Sequence, residues 1–273
     1  MLALERVYGD GPPRAWLLFL EGAGAALLGS LGALFLFPDQ SGVVSIFLCA
    51  IVSLDSIQRQ LDWNKQLIVD EGRRAAEVNG IVTGRVLALF AGQVAGYSGL
   101  VLFLQVATIQ TAFAYQLGDF ADMQYPAMVF PAITSVLVHN LGVLSLFFVL
   151  SLLFSHGGAL LAVAWNASVW GVVFGWLARS WSADGGPSLI EAYVRVILGV
   201  LPHMALEASG YVFAGFAGVF LGKGLARYEL SSGNWESLFR TVTIMLVIAA
   251  LLVGAGAVWE GLFARSMVTF LAG

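Results

Sequence analysis

The sequence predicts an all-α fold, a bundle of six or seven transmembrane helices that forms a single integral membrane domain over residues 1–273. Hydrophobic residues make up 59% of the chain and charged residues only 11%, and the mean hydropathy is +0.86; soluble domains are less apolar and more charged. No charged residue occurs between Arg85 and Asp119 or between Asp122 and Arg179. About 20 helical residues cross a bilayer core of about 30 Å, so the second stretch must cross twice.

The amino-terminal third contains two spans of unequal length and one charged segment. Residues 1–14 are predicted to be a short cytoplasmic terminus, and residues 15–37 form the first span. Segment 41–54 has only about two-thirds of a spanning length, so it is a short crossing, a re-entrant helix or an interfacial helix. Residues 55–85 predict a cytoplasmic, charged helical loop whose apolar anchors are Leu61, Trp63, Leu67 and Ile68.

The rest of the chain supplies the other spans, at 86–109, 131–154, 159–178, 189–225 and 237–262. The polar, glycine-rich run 155–158 separates two apolar runs and predicts a turn. Pro202 lies inside the long 189–225 segment, where it removes a backbone donor. We therefore expect that helix to be broken at Pro202.

The distribution of basic residues favours seven crossings. If 41–54 crosses, ten basic residues lie on one side and three on the other; if it does not cross, the split is eight to five. The positive-inside rule prefers the first arrangement, in a cell membrane with the amino terminus and the 55–85 and 223–240 loops cytoplasmic. The 110–130 loop and the carboxyl terminus are then external. The ten residues are Arg6, Arg14, Arg59, Lys65, Arg73, Arg74, Arg85, Lys223, Arg227 and Arg240, and the three are Arg179, Arg195 and Arg265.

Several classes of function are excluded or receive no support. The net charge is −4 and no block rich in Lys and Arg is present, so we expect no nucleic-acid partner. No Walker loop, dinucleotide fingerprint or nucleophile elbow occurs. The one cysteine, Cys49, is predicted to be a buried thiol. Four GxxxG pairs occur among 32 glycines, about the number expected by chance, so a homo-oligomer is left open.

Polar side chains inside predicted spans are the candidate functional residues. An ionisable group at bilayer depth costs several kcal/mol unless it is paired. Because His203 and Glu207 are four residues apart, they share one face of a helix. The predicted buried polar cluster consists of Glu21, His139, Asn140, Asn166, His203 and Glu207.

This cluster allows three functional interpretations. In the favoured one its members hydrogen-bond across packed helices, and the protein is a non-enzymatic scaffold or regulatory subunit. In the second, His139, His203 and Glu207 bind zinc or a similar divalent ion, with Glu21 as the base of an intramembrane hydrolase, although no recognised ligand spacing is present. In the third, the cluster and the carbonyls freed at Pro202 line a path for an ion or a small solute.

The order of these polar residues resembles the stage II sporulation protein M family of integral membrane proteins. The runs 138–141, 155–158 and 165–171 match an asparagine-bearing helix, a glycine-containing turn and a second helix with an asparagine. The run 201–207 is similar to the family's Pro-His-Gly…Glu signature, and the turn at 37–40 looks like that of archaeal members. The resemblance spans about residues 15–265, with its core at 131–225. Met204 stands where the family has glycine, and Ala208-Ser209 where proline often follows the glutamate.

The resemblance implies a membrane subunit that holds or regulates a pair of peptidoglycan-degrading enzymes during engulfment. The corresponding expectation for this chain is a scaffold or regulatory subunit of an envelope-associated complex. Its partners would be the lipid bilayer and a membrane or envelope protein, and it would have no resident cofactor.

Overall fold

The computed structural model describes residues 14–118, 133–227 and 233–272, and within these ranges the chain is helical with no strand. The all-α prediction is confirmed. The predicted terminus 1–14, apart from Arg14, and most of the predicted 110–130 loop lie outside the described residues. The described helices are α1 (Ala15–Leu36), α2 (Ser41–Val52), α3 (Leu54–Lys65), α4 (Ala75–Phe103), α5 (Val106–Ala112), α6 (Ala114–Leu117), α7 (Ile133–Ala183), α8 (Leu189–Leu225) and α9 (Gly233–Ala272).

Five of these helices, α1, α4, α7, α8 and α9, are long and apolar enough to cross a membrane. Their outer faces carry large apolar side chains, such as Phe35 and Phe103, which are 85% and 78% exposed. Large apolar side chains on an outer surface mark contact with lipid or with another protein, and lipid is the expected neighbour of helices that are long enough to span a bilayer. The fold is therefore that of an integral membrane protein.

Helix α7 is a helical hairpin and accounts for two crossings. A straight helix of its 51 residues would be about 77 Å long, more than twice the thickness of a bilayer core. The backbone leaves the helical region at Ser155, where φ is 53° and ψ is −132°. A Cβ atom on Gly158 would meet the carbonyl oxygen of Leu150, so the chain folds back on itself. The turn predicted at 155–158 is confirmed, and we call the two arms α7a (133–154) and α7b (156–183).

Helices α2 and α3 form one bent element that runs the length of α4. Their axes differ by 43° at a break between Val52 and Leu54. Side chains further along α2 and α3 contact residues nearer the start of the 79–112 segment. Ser41, at the start of α2, contacts Ala112, and Asn64, near the end of α3, contacts Asn79. A re-entrant segment would return to the face where it entered. The order of contacts is therefore antiparallel to α4, which favours a broken span over a re-entrant loop for segment 41–65.

The predicted 55–85 loop is helical at both ends. Helix α3 has the predicted amphipathic pattern, with Leu61 buried, and Leu67 just after it is buried as well. The guanidinium carbon of Arg85 lies 4.4 Å from the ring centre of Trp63. A turn at Gly72, where φ is +66°, leads into α4, which already begins at Ala75. Residues 75–85 thus belong to a transmembrane helix that extends beyond the apolar core.

The predicted break at Pro202 is not found. Helix α8 continues as one helix of 37 residues through Pro202. A proline removes one backbone donor, and a membrane helix supported by neighbouring helices tolerates that loss. The interruption occurs instead between α2 and α3, where no proline is present.

Basic side chains gather at the end of the bundle where α7 turns. His156 lies 3.0 Å from the amino group of Lys223, and Lys223 interacts electrostatically with Asp62, Lys65 and Arg227. We call this the basic end. At the opposite end, Arg179 donates hydrogen bonds to the carbonyls of Val101 and Leu104 at the end of α4.

Three of the four GxxxG pairs lie at contacts between helices of this chain. Gly92 and Gly96 face α1, the pair at 171 and 175 faces α4, and the pair at 218 and 222 faces α7a. The fourth pair, at 80 and 84, has open space around it. Most of these motifs therefore serve intramolecular packing.

Candidate functional site

Two members of the predicted polar cluster meet in the bundle interior. The side-chain amide of Asn140 on α7a donates a 2.6 Å hydrogen bond to Oε1 of Glu207 on α8. The two residues are only 6% and 4% exposed. An acidic side chain is found at such depth only with a partner, because its burial costs several kcal/mol. The pair joins two helices whose backbones run parallel.

The surroundings of Glu207 are formed by α8 and α9. Glu207 is the midpoint of α8, with 18 residues on either side. A Cβ on Gly256 of α9 would lie 2.8 Å from Cγ of Glu207, so only glycine allows α9 this close. Glu260, one turn further along α9, interacts electrostatically with Glu207, and both interact with the buried Tyr211. We call Asn140, Glu207, Tyr211 and Glu260 the acidic site.

Three other predicted residues do not join this pair through any described hydrogen bond. His139 is exposed. Adjacent side chains of a helix point about 100° apart, and on α7a the side chain of Asn140 points into the bundle. Asn166 on α7b is half-buried, and its side-chain amide nitrogen has no hydrogen-bond partner among the described residues. The same is true of Nδ1 of His203, which lies one turn before Glu207.

The predicted metal ligands are not assembled. Within the described ranges, no three His, Cys, Asp or Glu side chains come together as a group that could hold a metal ion. His139 is exposed while Glu207 is buried, so the set His139, His203 and Glu207 does not converge. The hydrolase interpretation needed these ligands in one place.

Glu21 lies elsewhere, in a second buried polar region. Its Oε2 accepts a 2.6 Å hydrogen bond from the hydroxyl of Ser56 on α3. Close contacts of Gly22 with the backbone of Leu89 and Gln93 place Glu21 beside the middle of α4. The six predicted residues therefore do not form one cluster.

This second region is a continuous row of polar side chains along the bent element α2–α3. Its members are at most 7% exposed, and we call them, with the side chains facing them from α1, α4 and α6, the polar seam. On α2–α3 they are Ser41, Ser45, Ser53, Ser56, Gln60 and Asn64.

Hydrogen bonds connect the polar seam to its neighbours at successive depths. Near the basic end, Asn64 donates to Asn79 at 2.8 Å, and Arg85 donates to Gln60 at 3.1 Å. In the middle, Ser56 donates to Glu21. Further along, the hydroxyl of Tyr97 lies 3.4 Å from that of Ser45.

At the opposite end, residues of α6 complete the seam. The amide nitrogen of Gln116 donates to the carbonyl of Gly42 at 2.9 Å, and Ser41 donates to the carbonyl of Ala112 at 3.4 Å. Phe113 packs edge-on against Tyr97, with ring centres 6.3 Å apart. The segment after α4 thus folds back onto the bundle and covers that end of the seam.

The polar seam was missed because its members are mostly uncharged. Serine and glutamine attract little attention beside histidine and glutamate, and α3 carries charges that suggest a loop. A signal was nevertheless present in the spacing. Positions 41, 45, 49 and 53, then 56, 60 and 64, recur every three or four residues, the spacing of one helix face.

The chain was compared with family models, curated proteins and solved structures, and none of them matches. The similarity to the stage II sporulation protein M family therefore stays a prediction from the order of the polar residues.

Proposed function

We propose that this protein moves an ion or a small solute across a cell membrane, along the polar seam. The single observation that carries the proposal is the row of buried polar side chains that follows α2–α3 from the level of Ala112 to the level of Asn79. Buried polar groups require partners, and here they recur along the whole bent element rather than at one contact between two helices.

The form of α2–α3 supports the same proposal. Many transporters use interrupted helices, in which backbone and polar side chains inside the protein take the place of water around the solute. The bend of 43° between α2 and α3 lies part-way along the polar seam, between Cys49, which is buried, and Ser56. The carboxylate of Glu21 lies close to the bend, through its bond to Ser56.

The acidic site has a supporting role in this proposal. It lies between α7a, α8 and α9. Its hydrogen bond and the close fit of Glu207 against Gly256 hold these helices in one arrangement. The basic end is assigned to the cytoplasm, because basic residues favour that side, and this assignment makes the amino terminus cytoplasmic.

The test is flux through the purified chain in liposomes. Currents on a supported membrane would report ion movement, and light scattering after rapid mixing would report movement of neutral solutes. We expect flux above that of empty liposomes in at least one assay, and a reduction in the Glu21→Gln variant. No flux in either assay, with folded protein inserted in the liposomes, would overturn the proposal.

A second candidate function is the scaffold or regulatory subunit of an envelope-associated complex. The Asn140–Glu207 hydrogen bond favours it, because a bond between helices of this kind fixes one packing of the bundle. Cross-linking in native membranes followed by purification tests it. A stable membrane or envelope partner that is retained by the wild type and lost in Glu207→Leu would support it, and a chain that purifies alone under the same conditions would contradict it. The metal-dependent hydrolase has less support, since its ligands do not converge.

A further inference from the structure

Gln93, near the middle of α4, is a buried amide that the described contacts leave without a partner. Its side chain is 0% exposed, and both its oxygen and its nitrogen lack a hydrogen-bond partner among the described residues. Buried amides almost always bond to protein or to an ordered molecule, because an unbonded one costs about 1–3 kcal/mol. The described contacts therefore leave the hydrogen-bonding groups of this amide unused.

The register of the neighbouring helices places Gln93 at the level of the bend between α2 and α3. One turn further along α4, Tyr97 contacts Ser45 and Cys49 of α2. On the other side, Gly22 lies against the backbone nitrogen of Gln93, and the adjacent Glu21 binds Ser56. The layer between these two levels contains Gln93 on α4 and the bend on α2–α3.

Ser53 forms the bend and has the same property as Gln93. It is 0% exposed, and its hydroxyl has no hydrogen-bond partner in the described part of the chain. From α1, the small side chain of Ala26 lies close by, 2.8 Å from the position that a Cβ on Gly96 would take. The layer thus combines unsatisfied polar groups with a small neighbour.

The chemistry of these groups selects the kind of molecule. The amide of Gln93 offers two donors and one acceptor, and the hydroxyl of Ser53 offers one donor and accepts as well. A bare cation would satisfy the oxygens and be repelled by the amide N–H groups. A neutral molecule with both donors and acceptors satisfies all of them.

We propose that Gln93 and Ser53 form a binding site for a small neutral solute with hydrogen-bond donors and acceptors, of about the size of urea. This inference rests on the proposed transport function and names its solute class and its site. The solute passes the bend of α2–α3 by exchanging hydrogen bonds with water for hydrogen bonds with these two side chains.

The experiment measures the entry of urea, formamide and glycerol into liposomes that contain the full chain, by light scattering after rapid mixing. At least one of them should enter faster than into empty liposomes. Loss of hydrogen bonds worth 1–2 kcal/mol predicts that Gln93→Leu lowers this excess by about tenfold. Ser53→Ala should lower it to a smaller degree. Gln110→Leu, a matched change at an exposed position of α5, should leave it unchanged.

A stability measurement separates this role from a structural one. Because leucine removes an unsatisfied buried amide, Gln93→Leu should raise the thermal midpoint of the protein in detergent. A lowered midpoint would identify Gln93 as a structural hydrogen-bonding residue and overturn the inference, as would an unchanged solute excess in Gln93→Leu. Ion currents without entry of any of the three solutes would overturn the inference and leave transport standing. If neither ion currents nor entry of any of the three solutes is observed, both the inference and the proposed transport function are overturned.

Discussion

Replacing Asn140 by leucine tests whether the acidic site stabilises the bundle. The change removes the donor of the 2.6 Å hydrogen bond to Glu207 and leaves that buried side chain without it. Removing one partner of a buried hydrogen bond costs about 1–3 kcal/mol, and bonds between membrane helices contribute about 0.6 kcal/mol on average and about 1.7 kcal/mol at most. We therefore expect a loss of about 1–2 kcal/mol in the free energy of unfolding.

The matched control is Asn166→Leu, on the other arm of the same hairpin. It makes the same change of side chain at a half-buried position whose amide nitrogen has no partner among the described residues. The gain from a more apolar side chain in the membrane is common to both variants, so their difference isolates the hydrogen bond. We expect Asn166→Leu to be neutral or stabilising.

The assay is reversible unfolding in mixed micelles, with a double-mutant cycle that adds Glu207→Leu. The reasoning predicts a coupling energy of about 0.6–1.7 kcal/mol between positions 140 and 207. Equal losses in Asn140→Leu and Asn166→Leu, or a coupling energy of zero, would refute it.

Three further outcomes follow from the packing and the backbone. Gly92→Ala should lower the thermal midpoint, because its Cβ would meet a carbonyl of α1, whereas Gly99→Ala, with open space on the same helix, should not; equal effects would contradict this reading of the contact. Ser155→Gly should stabilise the protein by about 1 kcal/mol in the same measurement, since glycine adopts a φ of 53° without strain. If α2–α3 crosses the membrane, cysteines introduced at Asp39 and Glu71 should react with an impermeant thiol reagent from opposite sides, and labelling from one side would disprove the crossing.

Hydropathy was sufficient to predict the membrane class and most of the helices. The span predicted at 15–37 is α1, from Ala15 to Leu36, and the turn at 155–158 divides α7 where a long uncharged stretch had to fold back. These features depend on length and on the distribution of charges along the chain. Both can be read from one sequence, because the bilayer imposes the same thickness on every helix.

Two of the differences between prediction and structure concern where helices are interrupted. Pro202 does not break α8, while α2 and α3 bend where only Val52, Ser53 and Leu54 are present. Proline removes one donor, a loss that neighbouring helices can compensate. The bend instead lies where α2, which packs mainly against α1 and α7, passes into α3, and local composition does not describe such packing.

The composition of the site was decided by the tertiary structure. Sequence analysis selected Asn140, Glu207 and Glu21 because polar groups are expensive in a membrane, and all three have hydrogen-bond partners in the interior. His139 was selected for the same reason and is exposed. Adjacent side chains of a helix point about 100° apart. The depth of a residue in the membrane therefore does not indicate which neighbour its side chain contacts.

The sequence by itself determined that this chain is a helical membrane protein and where its long apolar helices approximately lie. Only the tertiary structure decided that Asn140 reaches Glu207, that Glu21 reaches Ser56, and that Gln93 is buried without a hydrogen-bond partner among the described residues. The physical reason is that hydrophobicity acts on each helix separately. Hydrogen bonds between helices depend on their rotation and register, and these are set by how the whole bundle packs.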